Sequence, residues 1–130
     1  MNTRIRRHFD EIEVRLIESS AISSYEIIRE EISLDDGKLR LRAKLVDGGL
    51  LECFVYCKDQ DRFLKTEKYS YHWQDARGKV VRRLDNAPHH PELPHSPHHL
   101  HIGENHVEGF DGSSDLCAFV LELERHLDSK

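Results

Sequence analysis

At 130 residues with a formal charge of −5, the chain has the length of one compact domain, able to bury roughly two-thirds of its unfolded surface without a disulfide staple. Charged residues make up 33% and hydrophobic residues 38%, more polar than average but with too many apolar and aromatic side chains for a disordered chain. No apolar run has the length of a membrane span or a signal-peptide core, which predicts a soluble, cytoplasmic protein, and the odd set Cys53, Cys57 and Cys117 predicts reduced thiols.

Ile5, Phe9, Ile12 and Leu16 recur at helical spacing and predict a core-facing N-terminal helix. Residues 25–32 carry β-branched Ile27, Ile28 and Ile32 without helix caps and read as a strand. Asp35-Asp36-Gly37 reads as a hairpin turn, after which Leu39, Leu41, Ala43 and Leu45 alternate with Lys38, Arg40, Arg42 and Lys44, the pattern of a strand with one wet face. Asp47-Gly48-Gly49 turns the chain into residues 51–57, with Leu51, Cys53, Val55 and Cys57 on one face and Phe54 and Tyr56 on the other. Cysteines at 53 and 57 of one strand are about 13 Å apart, beyond disulfide reach, and read as packing residues. A loop over 58–62 leads to a strand over 64–74, whose Tyr69, Tyr71 and Trp73 share a face that reads as core, with base stacking as the alternative. Asp75-Ala76-Arg77-Gly78 makes a further turn, and 79–84 returns as a strand.

Beyond Asp85 the pattern changes. All four prolines, Pro88, Pro91, Pro94 and Pro97, fall at a period of three, which matches an extended polyproline II segment. Residues 100–102 suit a short strand, followed by a glycine-containing acidic loop. Leu116, Phe119, Val120, Leu123 and Leu127 mark a C-terminal helix, with Ser114 as its expected N-cap and Asp115 near its positive end. The sum is one α+β domain over residues 1–130: an antiparallel meander sheet of about five strands, an N-terminal and a C-terminal helix packed on one sheet face, and a His/Pro-rich extended segment.

Charge and histidine are unevenly spread. Residues 62–83 hold seven basic groups against Glu67 and Asp75, so one segment can attract an anion although the whole molecule is acidic. Seven of the ten histidines (His89, His90, His95, His98, His99, His101 and His106) fall within 18 residues. On a polyproline II ridge, residues three apart stand about 9 Å from one another, too far to share a metal. His99 and His101, if extended, point to one side and can converge on zinc or manganese, with a carboxylate or His72 completing the set. The competing chemistry is proton transfer: imidazoles that titrate near neutrality act as base and acid at a phosphodiester, while Lys79, Arg82 and Arg83 hold the phosphate. The plainest alternative is solvated histidine in an irregular loop, the expectation for His95 and His106 and, on their helices, for His8 and His126.

The string Tyr71-His72-Trp73-Gln74-Asp75, then Arg83, then Asp85-Asn86-Ala87-Pro88-His89-His90-Pro91-Glu92 and Pro97-His98-His99-Leu100-His101 resembles the TumE family of prokaryotic toxin-antitoxin toxins. Leu84 departs from the family pattern, where an aromatic residue is common, and His95 stands where a small or polar residue is common. The resemblance implies a small growth-inhibiting toxin neutralised by a cognate helix-turn-helix antitoxin.

The combined expectation is a toxin acting as a metal-independent ribonuclease on RNA. His90 and His99 form the acid-base pair, His72 is the reserve, Asp85 orients a histidine ring, and Arg83, with Arg82, Lys79, His89 and His98, binds substrate. No cofactor is expected on this reading. The rivals are a metal-dependent nuclease centred on His99 and His101, and a non-catalytic protein that inhibits growth by occupying a partner.

Overall fold

The first helix, α1 (Thr3–Glu18), starts where Asn2 caps it: the Asn2 side-chain oxygen accepts from the Ile5 N–H at 2.9 Å. Its Ile5, Phe9, Ile12 and Leu16 form one buried stripe. The strands β1 (Ile22–Ile32), β2 (Asp36–Leu45), β3 (Leu50–Gln60), β4 (Phe63–Gln74), β5 (Val80–Asp85), β6 (His99–Ile102) and β7 (His106–Gly109) follow, and α2 (Leu116–Asp128) closes the order. This is a computed structural model, and residues 2–86, 98–109 and 115–128 are described. Their strands form a seven-stranded antiparallel sheet in the order β1-β2-β3-β4-β5-β6-β7, an α+β meander. Among the described residues, no helix is long and apolar enough to cross a membrane.

Strand alternation divides the sheet into two faces. Leu39, Leu41, Ala43 and Leu45 of β2, Leu51, Cys53, Val55 and Cys57 of β3, and Tyr69, Tyr71 and Trp73 of β4 are buried in one cluster with the stripe of α1 and Leu116, Phe119, Val120 and Leu123 of α2. Both helices therefore lie on the same face. Tyr71 meets Phe119 with ring centroids 5.5 Å apart, and Trp73 meets His126 edge-on at 4.9 Å. The aromatic face of β4 is core. The two helices are tied by Arg15 and Glu124, whose side chains pair at 2.7 Å.

Gly37 has a different reason from the one its turn-like context suggests. It pairs with Ile32 and Cys57 inside the sheet, while the turn closes before it through the Ser33 N–H donating to the Asp36 carbonyl at 2.9 Å. A Cβ at Gly37 would fall 2.6 Å from Ile5 Cγ2, so glycine there lets α1 approach β2 closely.

Three further expectations shift. The loop placed over 58–62 is a two-residue turn, because β3 and β4 pair out to Gln60 and Phe63 and only Asp61 and Arg62, with φ of 51° and 71°, turn the chain. The acidic segment after Ile102 contains β7, paired with β6 from His99↔Gly109 to Ile102↔His106 and raising the strand count from about five to seven. Its polar, glycine-bearing composition hid it, since an edge strand of four residues has little apolar alternation to show. Asp115 caps α2, its carboxylate accepting from the Ala118 N–H at 2.8 Å, while Ser114, the expected cap, lies outside the described residues. The polyproline II expectation for residues 88–97 lies outside the described residues.

Candidate functional site

On the face away from the helices, the register aligns polar side chains in rows across the strands. Arg42 of β2, Glu52 of β3, His72 of β4, Arg83 of β5 and His101 of β6 are successive cross-strand partners. The neighbouring row runs Arg40, Phe54, Ser70, Asp85 and His99. Residues two apart on a strand share a face, so Arg83 with Asp85, and His99 with His101, come together as a consequence of hairpin register.

Asp85 is the centre of this cluster and is 2% exposed, as is His99. His99 Nε2–H donates to Asp85 Oδ1 at 2.8 Å, and Arg83 Nε stands 3.1 Å from Asp85 Oδ2. A buried carboxylate is sustained by such partners, and an ionised one can only accept, which places the His99 proton on Nε2. The His101 ring lies edge-on to His99 with centroids 5.0 Å apart. Asn86, immediately after the strand, fixes its exit: its side-chain oxygen accepts from the Tyr69 N–H at 3.1 Å and its amide donates to the Glu67 carbonyl at 2.9 Å. This role was not among those expected from the sequence, although Asn directly after a strand-ending Asp was an available signal.

His72, between Glu52 and Arg83, is half-buried, and its Nε2 has no hydrogen-bond partner among the described residues. Burial, and after it the Arg83 guanidinium, hold this imidazole below its ordinary value of 6.5, with Glu52 opposing. It is therefore largely neutral at neutral pH. Glu52 was not anticipated as a neighbour, because only strand register reveals it.

The other expected site residues divide sharply. His89 and His90 lie outside the described residues, as does His95, for which solvation was the expectation. His98 is carried to the helix-bearing face, where its Nδ1 shares a 2.9 Å hydrogen bond with the Tyr69 hydroxyl, whose pKa burial pushes up to about 12. Arg82 points to that same face, lining a groove with Leu84, Leu100 and Phe119. Lys79 sits at the β4–β5 turn, its amide held by Asp75 at 3.0 Å. Arg82 and His98 are thus not brought to Arg83, since neighbours in a strand alternate faces and a charge count along the sequence is blind to that, and Lys79 stays in the turn before β5. Cys53 and Cys57 are buried, and burial raises both thiols, Cys57 to about 11, in keeping with packing roles.

A metal could be held only where ligand atoms converge. Among the described residues Asp85, His99 and His101 form such a group, with ligand atoms within 4.8 Å of one another. Two ligands of a tetrahedral zinc, each 2.0–2.1 Å from the ion, stand about 3.3 Å apart. The 2.8 Å separation of His99 Nε2 and Asp85 Oδ1 is instead that of a hydrogen bond.

A family model described as "Toxin TumE" matches residues 12–127, which include the whole sheet, the buried stripe of α2 and the Asp85 cluster. No curated protein and no solved structure matches the chain. With the match covering most of its length, the chain belongs to the TumE toxin family, whose role is that of the toxin in a toxin-antitoxin module.

Proposed function

We propose that this toxin inhibits growth as a metal-independent, cytoplasmic ribonuclease and that a helix-turn-helix antitoxin neutralises it. The observation that carries the reading is the Asp85–His99 hydrogen bond of 2.8 Å beside Arg83 and His101 on one sheet face. A carboxylate that holds one ring nitrogen fixes tautomer and orientation, as catalytic histidines require.

His99 is shut from solvent, so the groups that meet the phosphodiester are its half-buried neighbours His101 and Arg83. Arg83 clamps the phosphate and offsets the charge that grows on it. His72, neutral and across Arg83 from His101, takes the proton of the ribose 2′-hydroxyl; the 2′-oxygen attacks phosphorus and the bond to the 5′-oxygen breaks. His101, oriented by His99 and Asp85, gives a proton to the departing 5′-oxygen, leaving a 2′,3′-cyclic phosphate and a 5′-hydroxyl. His99 thus acts at one remove from the substrate. His90, the partner first expected for His99, remains a candidate for the base in place of His72, and His89 for a phosphate contact.

Labelled RNA incubated with the purified protein tests the reading: products ending in cyclic phosphate and 5′-hydroxyl are expected, and intact RNA under conditions where the protein still arrests growth would overturn it. A second reading has its own observation, the convergence of Asp85, His99 and His101 within 4.8 Å. There Asp85, His99 and His101 would hold zinc or manganese once the Asp85–His99 hydrogen bond had opened, and the ion would supply a Lewis acid.

A further inference from the structure

The face that carries the Asp85 cluster continues across β4, β3 and β2 as a surface of different chemistry. Phe54 and Tyr56 of β3 point away from the core, each under a cation: the Arg40 guanidinium carbon is 4.7 Å from the Phe54 ring centroid and Lys38 Nζ is 5.6 Å from that of Tyr56. Lys44 extends the basic row of β2, and Lys68 of β4 pairs with Tyr56 in register. Among the described residues, no carboxylate lies within ion-pair reach of Arg40, Lys44 or Lys68, whereas Arg42 is drawn to Glu52 at 3.4 Å. The helices lie on the opposite face and cover none of these residues.

We propose that this face binds single-stranded RNA, with a base flanking the scissile bond stacked on Phe54 and the adjoining phosphates held by Arg40, Lys38 and Lys44. The inference rests on the ribonuclease reading and names its substrate path. Two aromatic rings on β3, bordered by cations of which Arg40, Lys44 and Lys68 have no carboxylate within ion-pair reach among the described residues, offer a π-surface and a phosphate track together, the combination that unpaired bases need and that a duplex cannot use. Phe54, Ser70 and Asp85 are successive partners across β3, β4 and β5, so at about 5 Å per strand the ring stands roughly 10 Å from Asp85. One continuous strand can therefore reach both. A base entering over Phe54 displaces the Arg40 guanidinium, which then meets the phosphate.

The test is fluorescence anisotropy with a labelled RNA oligonucleotide whose riboses are all 2′-O-methyl, which the full-length protein can bind but not cleave. Phe54→Leu should weaken binding about tenfold. Arg40→Gln with Lys44→Gln should lower the dependence of log affinity on log salt by roughly one. Phe54→Trp should bind like the parent and lose indole fluorescence on saturation, a direct sign of stacking that a structural role would not give. The proposal is overturned if the parent binds while all three variants match it without quenching, or if duplex RNA competes as well as the single strand. It is also overturned if the Arg40 and Lys44 changes disrupt the antitoxin complex and spare RNA, which would make the face a site for an acidic protein. A parent that binds and cleaves RNA with the variants unaffected removes only this inference; a parent that neither binds nor cleaves RNA removes the ribonuclease reading with it. Should Phe54→Leu misfold, the Phe54→Trp and charge variants decide.

Discussion

His99 and Asp85 are cross-strand partners of β6 and β5, and their side chains meet at 2.8 Å with both residues 2% exposed. A buried pair of this kind acts as a unit, so removing either half should cost as much as removing both. Asp85→Asn and His99→Gln should each lower RNA cleavage by about 10²- to 10⁴-fold, and the double variant should be no worse than the weaker single one. Additive losses measured on folded protein would show that the two side chains act separately.

Packing of α1 on β2 gives a prediction independent of chemistry. With Ile5 Cγ2 at 2.6 Å and Phe9 at 3.1 Å from the position of an added Cβ, Gly37→Ala overpacks the core and should destabilise the fold by about 1–3 kcal/mol. Urea unfolding measures this, and an unchanged or raised midpoint would contradict the close approach.

Burial holds His8 below 6.5, against the opposing pull of Glu11 and Asp115, and holds His72 there as well. Below 6.5 the unfolded chain binds protons that the folded chain refuses, so stability is full above that value and falls as pH drops toward the lowered folded-state values. Urea midpoints should decrease from about pH 7.5 to about pH 5.5, and His8→Gln with His72→Gln should flatten the decrease. A parent midpoint that is constant or rises over that interval would contradict the assignment.

The meander and both helices were legible because period two and period 3.6 stand out wherever one face is wet, as in Leu39, Leu41, Ala43 and Leu45 against Lys38, Arg40, Arg42 and Lys44, or in the Ile5, Phe9, Ile12, Leu16 stripe. Asp85, His99, His101, His72 and Arg83 were each singled out by residue type, but their grouping depends on register between strands, which no local pattern carries. For the same reason Arg82 and His98 were placed with Arg83 although alternation sends them to the other face. Gly37 was read as a turn residue because the turn and the helix contact fall one residue apart.

That separation of Arg82 from Arg83 sharpens what an antitoxin must do. If it silences the toxin by covering the site, Arg83→Glu should weaken the complex about tenfold or more and reduce its salt dependence, while Arg82→Glu should change it less than about threefold. Titration calorimetry at low and high salt reads both, and equal effects, or a larger effect at Arg82, would place the antitoxin on the helix-bearing side.

The most direct measurement is the rate of RNA cleavage by the full-length protein in EDTA, on an oligonucleotide with and without a single 2′-deoxy substitution at the cleaved bond. The histidine reading predicts an undiminished rate in EDTA, a bell-shaped pH profile, and no cleavage at the deoxy position. Loss of cleavage in EDTA with recovery on adding zinc or manganese, or cleavage of the deoxy bond, would contradict it and assign Asp85, His99 and His101 to a metal.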